Sequence, residues 1–293
     1  MSFTLPSFAK INLHLEVLGK RDDGFHEIST AFQTVSLYDE LTFELTKTGI
    51  ELQCDDQKLP VDETNLVVRA ANELRRLAAV GAGARITLNK RIPVGGGLGG
   101  GSSNAAVALI GLSRLWELNS TVEQLEAIAK ELGSDVPFFL HGGTAIGSGR
   151  GEIIQSTDDF PDEYLIIVTP NVRVSTSKAY AGLGAPNLTN VGSNRILNVS
   201  RVAEIMSPDL KNDFEKTVFA AFPEIERVKS KLLDLGAKQA LMSGSGASVF
   251  GIFDNEETRQ TAVKALGQET DWRSFAVAAV SRKEYREKLG LTD

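Results

Sequence analysis

Six of the seven residues from Gly95 to Gly101 are glycine, with only Leu98 between them, and the run lies between Pro93-Val94 and Ser102-Ser103. Such a stretch does not belong inside a helix or strand, because glycine loses more backbone freedom on folding than any other residue. A merely connecting turn would not need that entropic cost. What the run supplies is bare main chain, whose N–H groups an anion can approach without meeting a side chain. From Asn104 to Leu118, Ala, Val, Leu and Ile recur at helical spacing, so the loop opens onto a helix N-terminus, where the dipole also favours negative charge. The predicted ligand is a phosphate, cradled by Pro93, Val94, Gly95, Gly96, Gly97, Leu98, Gly99, Gly100, Gly101, Ser102 and Ser103.

The common phosphate loops fit poorly. Gly95, Gly97 and Gly100 satisfy the spacing of a dinucleotide fingerprint, but Pro93 interrupts the entry and the acidic residue at the right distance, Glu117, falls late in a helix. A P-loop requires Lys before the Ser or Thr, and here Gly101 precedes Ser102. The H-R-D and D-F-G runs of protein kinases are absent.

Composition narrows the class of protein. With 42% hydrophobic and 24% charged residues in 293, the chain is expected to fold as an ordinary globular protein of two lobes. A net charge of -7 without a basic stripe argues against nucleic acid as a partner. A lone Cys54 closes no intramolecular disulfide, which suits a reducing cytoplasm; in that setting it is read as a small buried or strand residue. No apolar run approaches the ~18 residues of a span, and the start, Met1 to Pro6, lacks the pattern of a signal peptide. A cytoplasmic protein without a membrane partner is expected.

Along the chain, Ile11, Leu13, Leu15 and Val17 alternate with polar residues, predicting a half-buried strand. Lys10, Asn12 and His14 then share the face outside the core and can line one site, with His14 read as a plain surface residue. The polar run Gly19 to Gly24 predicts a hairpin-like return through Phe25 and His26. Further strands are expected at Leu41–Leu45 and Ala84–Asn89, and a helix from Asn65 to Val80. A Ser120/Glu123 capping box predicts another helix, ending at Gly133. The turn cluster Phe160-Pro161-Asp162-Glu163 precedes an apolar strand, Tyr164–Val168, and suggests two domains, 1–157 and 158–293. Helices at Phe214–Phe222, Pro223–Leu235 and Glu256–Leu266 follow, with strands at Ala247–Phe253 and Phe275–Ser281 and a loop at Ser243–Gly246. The irregular mixture of helices and strands favours an α+β fold.

The segments Pro93–Ala106, the strand holding Lys10, Asp22-Asp23-Gly24-Phe25-His26, Leu132–Phe139 and Met242–Ala247 together resemble the GHMP small-molecule kinases, over nearly the whole chain. The doubled glycine triplet, the D-G-F-H run and the L-G-S-D-V-P-F-F run resemble in particular the branch that acts on a cytidine-diphosphate-linked methylerythritol. The resemblance implies two lobes, S5-like at the N-terminus and ferredoxin-like at the C-terminus. It implies transfer of the ATP γ-phosphate to the 2-hydroxyl of that small molecule, in non-mevalonate isoprenoid synthesis, with Mg²⁺. Carried over, Lys10 and Asp135 are the catalytic pair and Pro93 to Ser103 holds the ATP phosphates. Such chemistry asks mainly for positioning and charge neutralisation, so one ammonium and one carboxylate suffice. Asp135, next to Ser134 at an expected helix start, is predicted to orient the hydroxyl and take its proton late.

Phe25, His26 and Tyr180 are candidate base readers, offering stacking and an imidazole edge, and Asn12 is a hydrogen-bonding partner. Relatives often carry Tyr at position 25, so stacking survives here and a hydroxyl is lost. Ser103 is the candidate Mg²⁺ ligand; Leu66 flanks the adenine by analogy; Lys90 is left between nucleotide contact and solvated lysine. The alternatives are a homoserine- or mevalonate-type kinase, for which the Phe25-His26 hairpin has no use, and a non-catalytic metabolite sensor, which has no need of both Lys10 and Asp135. Monomer and homodimer both remain open.

Overall fold

The alternation beginning at Ile11 belongs to a much longer strand. In the computed structural model, which describes residues 2–161, 163–184 and 210–291, β1 (Ser2–Lys20) pairs antiparallel with β2 (His26–Thr46) along nearly its full length. The polar turn between them makes the expected return. Asp23 Oδ1 accepts from Phe25 N at 3.0 Å, and Arg21 bridges Asp23 and Glu27. Asp162 of the expected turn cluster lies outside the described residues.

On the far side of β2, β4 (Gly83–Asn89) pairs with its second half and β5 (Thr144–Ser148) with its first. Strands β3 (Ile50–Cys54) and β6 (Ile153–Ser156) close the two edges of this six-stranded sheet. Helix α1 (Leu66–Leu77), capped by Asn65, and α2 (Gly100–Leu115) cover it, burying Val68, Ala71 and Leu74 with Leu109 and Leu112 against Phe43 and Ile86. Helix α2 is buried along nearly its whole length, which suits its continuous run of small apolar residues.

The second sheet has the order β10-β7-β9-β8, all neighbours antiparallel. Its strands are β7 (Tyr164–Pro170), β8 (Gln239–Met242), β9 (Val249–Phe253) and β10 (Trp272–Ala278). Helices at Pro223–Asp234 and Glu256–Leu266 join them, giving the β-α-β-β-α-β order of a ferredoxin-like half. The two sheets share an apolar cluster in which Ile11, Leu13 and Val35 meet Leu165, Ile167 and Phe250.

That shared cluster corrects the first expectation about β1. One of its faces packs on the second sheet, yet Lys10 and Asn12 are 3% exposed and His14 8%. The other face is covered at Lys10 by Gly99 and Asp135, but a bulge between Asn12 and His14 breaks the expected shared face. Leu15 lines the cavity, while His14 lies beside Glu16, Lys211 and Asp213, so a strand read as half-buried is buried on both sides. His14, expected at the surface, is inside, and among the described residues its Nε2 has no hydrogen-bond partner. A smaller correction concerns α3 (Val122–Leu132), whose capping box is Thr121/Gln124, one residue beyond the Ser120/Glu123 pair. The threonine side chain accepts from the N3 amide while Gln124 returns to the cap N–H.

Candidate active site

The glycine-rich loop is fastened by its carbonyls. Gly96 O accepts from Ser248 N, Gly97 O from the Ser243 hydroxyl, Leu98 O from Lys10 N and Gly99 O from Ser103 N. Two of these donors come from the second lobe and one from β1. The first N–H groups of α2, which have no intrahelical acceptors, begin at Gly100. Glycine is required by space as well as by dihedral angle. Gly97 has φ +75°, and a Cβ there would lie 2.1 Å from Ser243 O. At Gly99, φ +69°, it would strike the Phe139 ring at 2.7 Å. The helix starts four residues earlier than the apolar periodicity indicated, because glycines and serines form its first turn.

On one side of the loop lies a cavity of about 700 Å³ lined by Lys10, Asn12, Phe25, His26, Asp135 and Tyr180 among others, with Gly97, Gly99 and Ser102 at its end. The sequence-predicted pair and all four expected substrate contacts thus meet in one space. Lys10 Nζ is 3.4 Å from Asp135 Oδ2 and donates to Asn12 Oδ1 at 2.5 Å. Asn12 Nδ2 in turn donates to Thr30 Oγ1, and that hydroxyl to His14 O. This chain fixes the ammonium from below, with the Phe32 ring 5.5 Å away. Asp135 is 33% exposed and so reaches the cavity. It sits in a turn ahead of a four-residue helix, α4 (Phe138–His141), whose N-cap is Pro137, so the expected helix start at Ser134-Asp135 is displaced by three residues.

The other end of the cavity is aromatic. His26 and Tyr180 stack at 4.8 Å, and Tyr180 meets Phe214 edge-on at 4.7 Å. Burial, and then the charge of Asp135, push the Tyr180 phenol up to about 12, which leaves it a neutral wall at ordinary pH. Burial and then Lys20 hold the His26 imidazole below its usual 6.5, favouring the neutral ring. Phe25 is 52% exposed on the hairpin, with the Arg150 guanidinium 4.7 Å from its ring.

Beyond the loop a second cavity of about 370 Å³ is lined by Leu59, Asn65, Leu66, Lys90 and the run Pro93 to Ser102. Ser103 is fully buried, with its hydroxyl accepting from Ser7 at 2.8 Å, and it is Ser102 that lines both cavities. Lys90, left undecided from sequence, is not solvated: its side chain is 7% exposed and paired with Asp39 at 2.6 Å.

Residues that the sequence did not single out complete the site. Ser243, fully buried, accepts from Asn12 N at 3.2 Å while donating to Gly97 O at 3.0 Å, so one hydroxyl joins strand and loop. Thr30, Arg150 and Phe214 also had no signal, since each acts through partners far away in sequence. Only the S-G-S-G run pointed to Ser243. No group of three or more His, Cys, Asp or Glu among the described residues is placed to hold a metal ion.

Comparison with known proteins agrees with this fold. The GHMP kinases N terminal domain matches residues 65–143 and the GHMP kinases C terminal domain residues 189–270. A 4-diphosphocytidyl-2-C-methyl-D-erythritol kinase of Syntrophus aciditrophicus is 40% identical over 275 residues, covering 93% of this chain and 97% of its own. The enzyme of the same name from Geobacter metallireducens is 39% identical, covering 95% and 99%. A crystal structure of 4-(cytidine 5'-diphospho)-2C-methyl-D-erythritol kinase superposes with a TM-score of 0.79 at 35% identity, over 94% of this chain and 99% of that one. A homoserine kinase from Cytophaga hutchinsonii, 21% identical with a TM-score of 0.72 over 96% and 95%, shares the fold. With the relatives aligned almost end to end and both domain patterns in place, the chain belongs to the GHMP kinases, in the 4-diphosphocytidyl-2-C-methyl-D-erythritol kinase family.

Proposed function

We propose that this chain transfers the γ-phosphate of ATP to the 2-hydroxyl of 4-diphosphocytidyl-2-C-methyl-D-erythritol, a step of non-mevalonate isoprenoid synthesis. The observation that carries the assignment is the single cavity joining the Lys10–Asp135 pair to an aromatic end at one extremity and the glycine loop at the other. An acceptor with a flat base, a diphosphate spacer and a reactive alcohol matches that lining. Phe25 and Tyr180 provide π-faces and His26 a hydrogen-bonding edge for cytosine.

In the reaction, Asp135 orients the acceptor hydroxyl and receives its proton as the new O–P bond forms. The bond from the γ-phosphorus to the bridging oxygen breaks, and its electron pair leaves with ADP. Lys10, held by Asn12, steadies the charge that develops on the acceptor oxygen and the transferring group. The loop from Pro93 to Ser103 supplies backbone donors for the ATP phosphates. Mg²⁺ supplies charge neutralisation on those phosphates when bound. The Ser102 hydroxyl and the Asp135 carboxylate line the cavity and are oxygen donors of the kind a hard cation takes. They would fit such an ion better than buried Ser103 does.

We place the chain in the cytoplasm, as a monomer or homodimer, and divide it at 157/158, where the last strand of the first sheet precedes the first strand of the second. No described helix is long and apolar enough to cross a membrane. The assignment is tested by ATP turnover with Mg²⁺ and the cytidine-diphosphate methylerythritol, beside homoserine and mevalonate. We expect turnover with the cytidine compound alone. Turnover with a control alone would replace the acceptor, and binding without turnover would favour a sensor.

A further inference from the structure

Beneath the mouth of the glycine loop lies a carboxylate that the phosphoryl-transfer chemistry does not use. Asp39, on β2, is fully buried, and four donors converge on it. Its Oδ1 accepts from Arg91 N at 2.7 Å and Ile92 N at 2.8 Å; its Oδ2 accepts from Lys90 Nζ at 2.6 Å and Asn104 Nδ2 at 2.9 Å. Four contacts occupy the lone-pair sites that an ionised carboxylate offers. Three donors belong to the segment that leads into the loop, and the fourth, Asn104, to α2 just after its first turn. Asp39 therefore grips both ends of the run from Pro93 to Ser103.

The ammonium it holds is also well placed. Lys90 Nζ donates back to Ile92 O at 2.9 Å, and a Cβ built on Gly100 would come within 3.0 Å of it. The cation thus lies beside the first residue of α2, at the rim of the smaller cavity. An uncompensated ammonium there would oppose the positive end of the helix, and an unpaired one would swing into solvent. The buried carboxylate prevents both.

We propose that Asp39 is a positioning residue for the nucleotide: by fixing Lys90 and the Lys90–Ile92 backbone it sets the loop in its phosphate-accepting shape before ATP arrives. The proposal rests on the assignment of the loop to ATP. It places the main effect on the donor side: Gly97, Gly99 and Ser102 also face the larger cavity, but its floor is held by Asn12, Thr30 and Ser243 instead.

The test is Asp39→Asn, which keeps the shape but turns one oxygen into a donor facing donors. ATP KM should rise about tenfold or more, as for the loss of one hydrogen bond to a charged group. The acceptor KM should stay within about twofold, and kcat should fall less than the ATP KM rises. Calorimetric titration with a non-hydrolysable ATP analogue should show the same loss of affinity as the KM. Lys90→Met, which leaves Asp39 its three other donors, should reproduce the shift if the asparagine variant does not fold. The double variant Asp39→Asn/Lys90→Met removes both charges and should recover thermal stability while ATP affinity stays low. A variant with lowered melting temperature but native ATP KM, or one losing both KM values and kcat together, would overturn the positioning role. Absence of ATP-analogue binding to the unaltered protein would instead sink the assignment of the loop.

Discussion

The two cavities flanking the glycine loop are built in opposite ways. The smaller one is lined by residues of the first lobe alone, six of them the glycines of the loop, which offer only main chain. The larger one takes Lys10, Asn12, Phe25 and Asp135 from the first lobe and Thr176, Tyr180, Phe214 and Gly244 from the second, and its working surface is side chain. A backbone surface recognises what all triphosphates share, whereas a side-chain surface can single out one base and one alcohol. On the proposed function, acceptor recognition would therefore depend on how the lobes pack, and nucleotide recognition on how one loop is braced.

The contrast breaks first where the cavities meet. Asp135→Ala or Lys10→Ala should lower kcat by about 10³-fold, the range for a positioned acid–base group, with both substrates still bound; loss of binding instead of turnover would move these residues from chemistry to recognition. Gly97→Ala should come next, because its added Cβ would meet Ser243 O at 2.1 Å. A stability loss of about 2–4 kcal/mol is expected by denaturant melts, together with weaker binding of both substrates. Damage confined to ATP would show that Ser243 does not couple the sides. Tyr180→Ala should raise the acceptor KM by about 10–100-fold, as for a lost base–aromatic stack, and leave the ATP KM unchanged; an equal effect on ATP would erase the distinction between cavities.

The smallest effect concerns acid. Burial above all holds the folded-state His14 imidazole below its unfolded value of 6.5. Between those two values the unfolded chain binds more protons, so the stability associated with the neutral ring is complete above about 6.5 and is lost as pH falls toward the folded value. His14→Leu should flatten the decline of melting temperature across that window. An unchanged slope would assign the acid sensitivity to other groups.

What the sequence revealed follows the same division. The loop was legible because its glycine geometry is an unusual local need, whereas Lys10 and Asp135 were paired only through the resemblance to the GHMP kinases; the structure brings the two within 3.4 Å. Asp39 and Lys90 were not legible, since they are 51 positions apart and each alone resembles a solvated surface residue. His14 was misplaced for a related reason. Alternation reports that one face of a strand differs from the other, but not that a bulge will break it between Asn12 and His14 or that Lys211 and Asp213 will lie beside the histidine. Strands β5, β6 and β8 and the last helix, Arg282–Leu289, are short or polar and take their structure from neighbours, so local periodicity did not mark them. Tyr285 of that helix, fully buried with its hydroxyl on Phe139 O, shows how much depends on docking against the first lobe.

The fastening of the glycine loop has a consequence for how such a catalyst can change. Ser243, Ser248 and the backbone of Lys10 hold its carbonyls from two lobes, so the transfer machinery is a fixed chassis. The residues proposed to face the base stand apart from it, Phe25 in the hairpin turn, His26 at the start of β2 and Tyr180 on the short helix Thr176–Gly182. None of the three supplies a bond to the loop's carbonyls. On the proposed assignment, an acceptor with a different base can thus be fitted by exchanging the fittings at the far end while the chassis, and the rate it delivers, is left alone.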